Sequence, residues 1–302
     1  MESHPDPEYS GGMAFFIFVE MTLQMTDKFK PIGVFDSGYG GLTILKEFIH
    51  DMPRYDFVYL GDNARAPYGS RSFEVVYEYT LQAVTKLFEM GCPLVILACN
   101  TASAKALRTI QQNDLSALGV DRRVLGVIRP AVESIRHITK NGHVGILGTV
   151  GTVLSNSYPI ELKKWAGGKV VKTTQEACPI WVPLVENNET DSPGTDYFVS
   201  KNIQNLMTAD PEIDAIILGC THYPLLMPVI KKYVPQGVQI LEQGKVVSAS
   251  LVDYLHRHPE MDQRCSKSGT VKYYTTENID VFEKNASTFI GREIKGEKIL
   301  LK

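Results

Sequence analysis

Leu94-Val95-Ile96-Leu97-Ala98-Cys99-Asn100-Thr101 is an apolar run that ends in a small residue, a thiol and a polar pair. Ile213-Asp214-Ala215-Ile216-Ile217-Leu218-Gly219-Cys220-Thr221-His222 repeats the arrangement further along. Each run is short, rich in Ile, Val and Leu, and closed by small polar residues. That is the pattern of a buried parallel strand meeting a loop at its carboxyl end. Ligands of open α/β sheets bind outside those ends. Two thiols offered from two similar halves are therefore predicted to face one another across a shared cleft.

The chain around these runs keeps alternating. Ile32-Gly33-Val34-Phe35 reads as a strand that breaks at Asp36-Ser37-Gly38-Tyr39-Gly40-Gly41, with a helix from Leu42. Phe57-Val58-Tyr59-Leu60 is a second strand, broken by Gly61-Asp62-Asn63. Between Ser72 and Met90, the residues Val76, Tyr79, Ala83, Leu87 and Met90 recur every three or four positions. This predicts an amphipathic helix that Ser72 caps and Gly91 ends. Residues 102–110 read as the helix after the Cys99 strand. Val124-Leu125-Gly126-Val127 and Val144-Gly145-Ile146-Leu147 are further strands, the second opening into Gly148-Thr149-Val150-Gly151-Thr152.

Strand–helix alternation of this kind predicts an α/β protein with mainly parallel sheets flanked by helices. A strand with a glycine-rich exit precedes each cysteine strand, and the two cysteines lie about one domain's length apart. Two similar domains with the active site in the cleft between them are expected, with a boundary near residue 125.

At 302 residues the chain is long enough for two such cores. Its 44% hydrophobic and 22% charged residues fit a globular protein, and a net charge of −3 leaves no electrostatic footprint for nucleic acid. The five cysteines include no Cys-x-x-Cys pair and no metal-ligand spacing with His. An odd, sparse set points to reduced thiols in a cytoplasm rather than to a disulfide framework. Residues 1–28 differ from the rest. Met13-Ala14-Phe15-Phe16-Ile17-Phe18-Val19 is apolar, but Glu20 interrupts it and no Lys or Arg precedes it, so neither a signal peptide nor a membrane span is expected. The segment reads as an extension outside the fold, with Met25 as an alternative start; a short docking helix or strand is the competing reading.

A thiol at a strand end just before a helix sits where free N–H groups and the helix dipole favour the thiolate. Free cysteine also packs simply as a small buried hydrophobe. The matched polar sequels of Cys99 and Cys220 favour chemistry over packing. His222, two residues beyond Cys220, can polarise that thiol, although Cys-x-His alone also describes a surface histidine beside a core cysteine. Two opposed thiols can take a proton from one face of a carbon and return one to the other face, which is what racemisation without a cofactor requires. Cys92, Cys178 and Cys265 have no such surroundings. Asp36-Ser37-Gly38-Tyr39-Gly40-Gly41 has the wrong spacing for a dinucleotide fingerprint or a P-loop, yet its glycines permit close approach of backbone to a ligand. Asp36 is a base, an ammonium partner or a helix cap. Thr149 and Thr152 stand in a similar turn, suited to a second carboxylate.

The chain resembles the glutamate racemases, cofactor-independent enzymes of the aspartate/glutamate racemase family that supply D-glutamate for bacterial peptidoglycan. The resemblance runs from about residue 31 to 291. It is carried by Gly33-Val34-Phe35-Asp36-Ser37-Gly38-Tyr39-Gly40-Gly41-Leu42-Thr43, Gly61-Asp62-Asn63-Ala64-Arg65 and Pro67-Tyr68-Gly69. It continues through Ala98-Cys99-Asn100-Thr101-Ala102, Cys178-Pro179, Val182-Pro183-Leu184-Val185-Glu186 and Leu218-Gly219-Cys220-Thr221-His222-Tyr223-Pro224-Leu225.

The resemblance implies Cys99 and Cys220 as the acid/base thiols, Cys99 acting on the D enantiomer and Cys220 on the L. It implies Asp36 as helper of Cys99, and Glu186 and His222 as helpers of Cys220. Substrate contacts would come from Asp36, Ser37, Tyr68, Gly69, Asn100, Thr101, Thr149, Thr152, Thr221 and His222. It further implies no cofactor or metal, glutamate as the small-molecule substrate, a homodimer, and a first domain (29–124) completed by residues 241–302 around a second (125–240). Two places depart from the common pattern. Arg129 stands where many members have Glu, which bears on hinge or dimer contacts, and Asn187-Asn188 replaces Glu-Gly after Glu186, which bears on the role of Glu186.

Three rivals remain at this level. An aspartate or hydantoin racemase would use the same two thiols. A non-catalytic two-lobed amino-acid binding protein would not need them, and a cysteine hydrolase would leave one of the pair unexplained.

Overall fold

A computed structural model describes residues 29–302. The expected extension over 1–28, including the apolar segment around Phe15 to Val19, lies outside the described residues. The strands in chain order are β1 (Ile32–Asp36), β2 (Phe57–Gly61), β3 (Leu94–Leu97), β4 (Arg123–Gly126), β5 (His143–Gly148), β6 (Lys172–Ala177), β7 (Ala215–Gly219), β8 (Gln239–Leu241), β9 (Val271–Thr275) and β10 (Gly296–Lys298). They form a six-stranded sheet of order β10-β9-β2-β1-β3-β4 and a four-stranded sheet of order β6-β5-β7-β8. Every pairing is parallel, so within each sheet all the carboxyl ends emerge on one side. The α/β architecture with helix-flanked parallel sheets is the one the alternation predicts.

Burial follows the strand period. Ile32 and Val34 of β1 enter a core that continues into the second lobe through Leu147, Trp181, Leu218 and Tyr223. Phe35, with the opposite orientation, packs with Val84 and Leu87 of the helix Phe73–Glu89 in a separate layer. The far face of the second sheet has its own layer, including Ile146, Tyr158 and Ile217. The lobes thus share apolar core, which fixes where the strand ends face one another.

The helix Phe73–Glu89 begins as its sequence predicts: the Ser72 hydroxyl accepts from the Val75 N–H at 3.3 Å. Gly91 follows its end with φ of +91°, a conformation L residues rarely adopt. The helix expected over 102–110 instead spans Asn100–Lys105, and Ile110–Asp114 forms a π turn. It starts early because Cys99 itself occupies the cap position, its sulfur 3.5 Å from the Ala102 N–H. The boundary expected at 124/125 falls inside β4, which pairs with β3 through Gly126. The chain crosses to the second sheet after Val127. It returns after β8, and the C-terminal segment then adds β9 beside β2, and β10 beyond it. No helix among the described residues is long and apolar enough to cross a membrane.

Candidate active site

Five strand ends converge between the lobes: Asp36 closes β1, Cys99 follows β3, Thr149 follows β5, Cys178 follows β6 and Cys220 follows β7. Ser37, Cys99, Thr101, Cys220 and His222 line one cleft with an enclosed volume of about 80 Å³. Tyr68, Gly69, Asn100, Thr149, Glu186 and Thr221 share its wall; Thr152 and Asp36 stand just behind it.

On the first lobe, the Cys99 thiol is almost fully buried and lies 3.3 Å from the Ser37 hydroxyl. Burial, reinforced by the negative charge of Asp36, pushes this thiol up to about 12, against the smaller pull of Ser37 and the Ala102 N–H. Asp36 accepts from the Gly38 N–H at 2.9 Å, while its other carboxyl oxygen has no hydrogen-bond partner. Burial raises its pKa; the His222 charge and the Gly38 and Gly41 amides oppose that rise. The helix after this loop has Gly41 at its cap with no side-chain cap bond, so the capping alternative for Asp36 is not realised.

On the second lobe, Cys220 lies 3.9 Å from Nδ1 of His222, whose Nε2 is 3.0 Å from a Glu186 carboxylate oxygen. Burial works against charge on the ring. Its hydrogen bonds to the Cys220 sulfur and to Glu186 prevail and raise it to about 10. His222 is thus held between the Cys220 sulfur and the Glu186 carboxylate, two neighbours that favour the charged ring.

The departure after Glu186 has a local answer. Asn188 takes φ of +59°, the left-handed conformation where glycine is favoured and asparagine is the best-tolerated alternative. The turn is kept, and Glu186 reaches its histidine. Arg129, at the other departure, lies 3.7 Å over the Trp165 ring and pairs with Glu133 at 2.8 Å.

The glycine loop packs closely against the second lobe. A Cβ on Gly40 would lie 2.1 Å from the Thr221 hydroxyl and 2.5 Å from His222 Nδ1. At Gly40 the close approach is to Thr221 and His222 of the other lobe. Across the same seam Thr101 Oγ1 is 2.9 Å from Thr149 Oγ1 and 3.5 Å from Thr152 Oγ1. Thr149 also caps the helix Val150–Leu154. The Gly69 carbonyl accepts from the Gly151 N–H at 2.7 Å.

Two expected contact residues have their side chains committed elsewhere. The Tyr68 hydroxyl donates to Asp62, which also holds Arg65 and Thr276. The Asn100 amide bonds Tyr158 and Gln243. Asp62, Tyr158 and Gln243 receive no role from sequence reasoning: Asp62 is visible as a strand breaker and as part of a resembling motif, and the other two sit in unremarkable helical text. Cys178, given no role, contributes its carbonyl, which accepts from the Tyr223 hydroxyl at 3.2 Å.

Paired strand-end thiols with separate acid–base neighbours, set between two parallel-sheet lobes, define a two-domain α/β enzyme. The family described as Asp/Glu/hydantoin racemase matches residues 45–249. A glutamate racemase of Persephonella marina is 37% identical over 270 residues, covering 89% of this chain and 97% of that protein. Among solved structures, a glutamate racemase isoform of Bacillus anthracis superposes with a TM-score of 0.81 at 33% identity, covering 91% of this chain and 98% of the other. The glutamate racemase of Francisella tularensis in complex with D-glutamate gives 0.78 at 27% identity, with coverage of 91% and 98%. The chain belongs to the Asp/Glu/hydantoin racemase family and is a racemase.

Proposed function

We propose that the enzyme interconverts L- and D-glutamate with Cys99 and Cys220 as its two acid/base groups and without a cofactor. The observation that carries this reading is that both thiols line one cavity from opposite lobes, each with its own polar neighbours. In one direction the Cys220 thiolate removes the Cα proton of L-glutamate, and the Cys99 thiol protonates the carbanion from the other face. One turnover leaves Cys220 as thiol and Cys99 as thiolate, the form that takes the D enantiomer in reverse or is reset by proton exchange with water. The buried, proton-holding Cys99 suits the acid in the first direction, and the His222 imidazolium supplies the counter-charge for a thiolate at Cys220.

Cα–H is far less acidic than a thiol, so the carbanion needs donors aimed at the α-carboxylate. Ser37, the backbone N–H groups that begin Asn100–Lys105, and the hydroxyls of Thr101, Thr149, Thr152 and Thr221 are the candidates. Asp36, with one free carboxyl oxygen, is the candidate partner of the ammonium group. Tyr68 and Gly69 then act as wall. The relatives named glutamate racemase and the D-glutamate complex favour glutamate over aspartate or hydantoin. The enzyme would work in the cytoplasm as a homodimer, supplying D-glutamate to peptidoglycan and so to cell-wall growth and shape.

The test is incubation of purified protein with each enantiomer in D₂O with no added cofactor. Racemisation with deuterium at Cα, unchanged after exhaustive dialysis against chelator, is expected. Faster turnover of aspartate or a hydantoin would redirect the substrate. Restoration of a lost activity by pyridoxal phosphate or a divalent metal would overturn the cofactor-free mechanism.

A further inference from the structure

Behind the cleft, three buried side chains from different parts of the chain close a ring of hydrogen bonds. The Tyr158 hydroxyl donates to Asn100 Oδ1 at 2.7 Å and accepts from Gln243 Nε2 at 2.7 Å. Gln243 Oε1 in turn accepts from Asn100 Nδ2 at 2.6 Å. The second hydrogen of Gln243 Nε2 is directed to the Val127 carbonyl at 3.4 Å. The ring is self-consistent: each amide orientation is set by the other two groups, and each hydroxyl and amide oxygen has a partner. Asn100, Tyr158 and Gln243 are 2%, 0% and 3% exposed, values at which an unpaired polar atom is costly.

Its location gives the ring a meaning beyond stability. Asn100 is the residue after Cys99. Tyr158 belongs to the second lobe, and its ring edge packs where a Cβ on Gly219 would lie 3.1 Å away; Gly219 is the residue before Cys220. One tyrosine therefore touches the neighbours of both thiols. Val127 and Gln243 stand at the two points where the chain passes between the lobes, after β4 and after β8. The ring spans both crossings.

We propose that Tyr158 and Gln243 are positioning residues that set the separation and facing of the Cys99 and Cys220 strand ends by locking Asn100 at the lobe crossings. This rests on the two-thiol reading above. A racemase of that kind is sensitive to the span between its thiols, because a displacement of about 1 Å from the productive geometry costs on the order of a hundredfold in rate. The phenol gives the span a rigid length that an aliphatic side chain would not.

The test uses Tyr158→Phe, which keeps the ring against Gly219 and removes only the hydroxyl, and Gln243→Met, which keeps the volume. Both are assayed in both directions, with thermal unfolding measured alongside. Each variant is expected to lose roughly 10- to 100-fold in kcat, equally from L- and D-glutamate, with KM changed less than about twofold. The double variant should lose little more than either single one, because breaking a closed ring twice is not additive. Full kcat per folded molecule, with only Tm lowered, would overturn the proposal and leave the ring a purely structural feature. A loss confined to KM, or to one enantiomer, would overturn it as well. Should Tyr158→Phe fail to fold, Gln243→Met decides alone by the same criteria. Wild-type turnover of glutamate judges the functional reading separately; if aspartate is the pair turned over, the same variant-to-wild-type ratios are read on aspartate.

Discussion

The two cysteine loops begin as near copies and end as opposites. Each thiol follows a buried parallel strand through a small residue, Ala98 before Cys99 and Gly219 before Cys220. Around Cys99 the neighbours are a carboxylate and a hydroxyl; around Cys220 they are an imidazole backed by a carboxylate that favours its charged form. The first setting holds the proton on sulfur, and the second provides a positive charge beside it. Substrate enantiomers are mirror images, but a protein of L residues is not its own mirror image. Under the proposed mechanism, the difference teaches that a pseudo-symmetric site can serve both hands of a substrate with chemically unlike halves.

The most severe break in the comparison is removal of a sulfur. Cys99→Ser and Cys220→Ser are each expected to abolish full racemisation, since a serine hydroxyl is a far weaker acid and cannot supply the missing proton transfer. One-way elimination from a glutamate analogue with a leaving group should survive in both, with opposite enantiomer preference. Near wild-type racemisation by either single variant would end the two-thiol mechanism.

That this comparison was open to sequence reading at all follows from local signals. Short apolar runs and their closing polar residues are written within ten residues of each thiol, and with the strand–helix alternation they imply parallel sheets. The joint order and spacing of the short motifs from Gly33 to Leu225 carry the family resemblance. Long-range pairing is what the sequence hides. Nothing in the neighbourhood of Gly40 announces that Thr221 and His222 will press against it. Asn100 looks like a free amide because Tyr158 and Gln243, its actual partners, lie 58 and 143 residues away. The start of the helix at Asn100 was likewise obscured, since cysteine is not a usual cap residue.

A sharper probe of the same contrast is His222→Asn. The ring touches the Cys220 sulfur and Glu186, so its loss should fall on the half-reaction that uses Cys220. Wash-out of the Cα proton into D₂O, started from each enantiomer separately, reads the halves independently. Exchange from L-glutamate is expected to slow on the order of a hundredfold, the usual contribution of an acid–base helper, and exchange from D-glutamate much less. Equal slowing of both would mean that His222 has no special tie to Cys220.

The smallest expected effect is on stability, and it comes from the same ring. The His222 pKa is raised from an ordinary 6.5 to about 10 in the folded protein by its sulfur and carboxylate partners, which outweigh its burial. Because the folded value is the higher one, the stabilisation is fully present below about pH 6.5. It is lost as pH rises through the folded value, where the native ring also gives up its proton. The informative window runs from about pH 6.5 to 8.5, below the ordinary range of free thiols in the unfolded chain. Each proton held only by the native state costs at most about 1.4 kcal/mol of stability per pH unit in that window. With Cys220 protonated across the window, wild type should therefore lose up to about 2 kcal/mol, equivalent to a fall of a few degrees in Tm; a thiolate at Cys220, its proton passed to the ring, would flatten the slope. His222→Asn, which has no proton to lose there, should start less stable at pH 6.5 and show a flatter Tm profile. A variant with the same slope as wild type would mean that the alkaline loss belongs to another group. The charge assigned to the Cys220 side of the comparison would then have to be withdrawn.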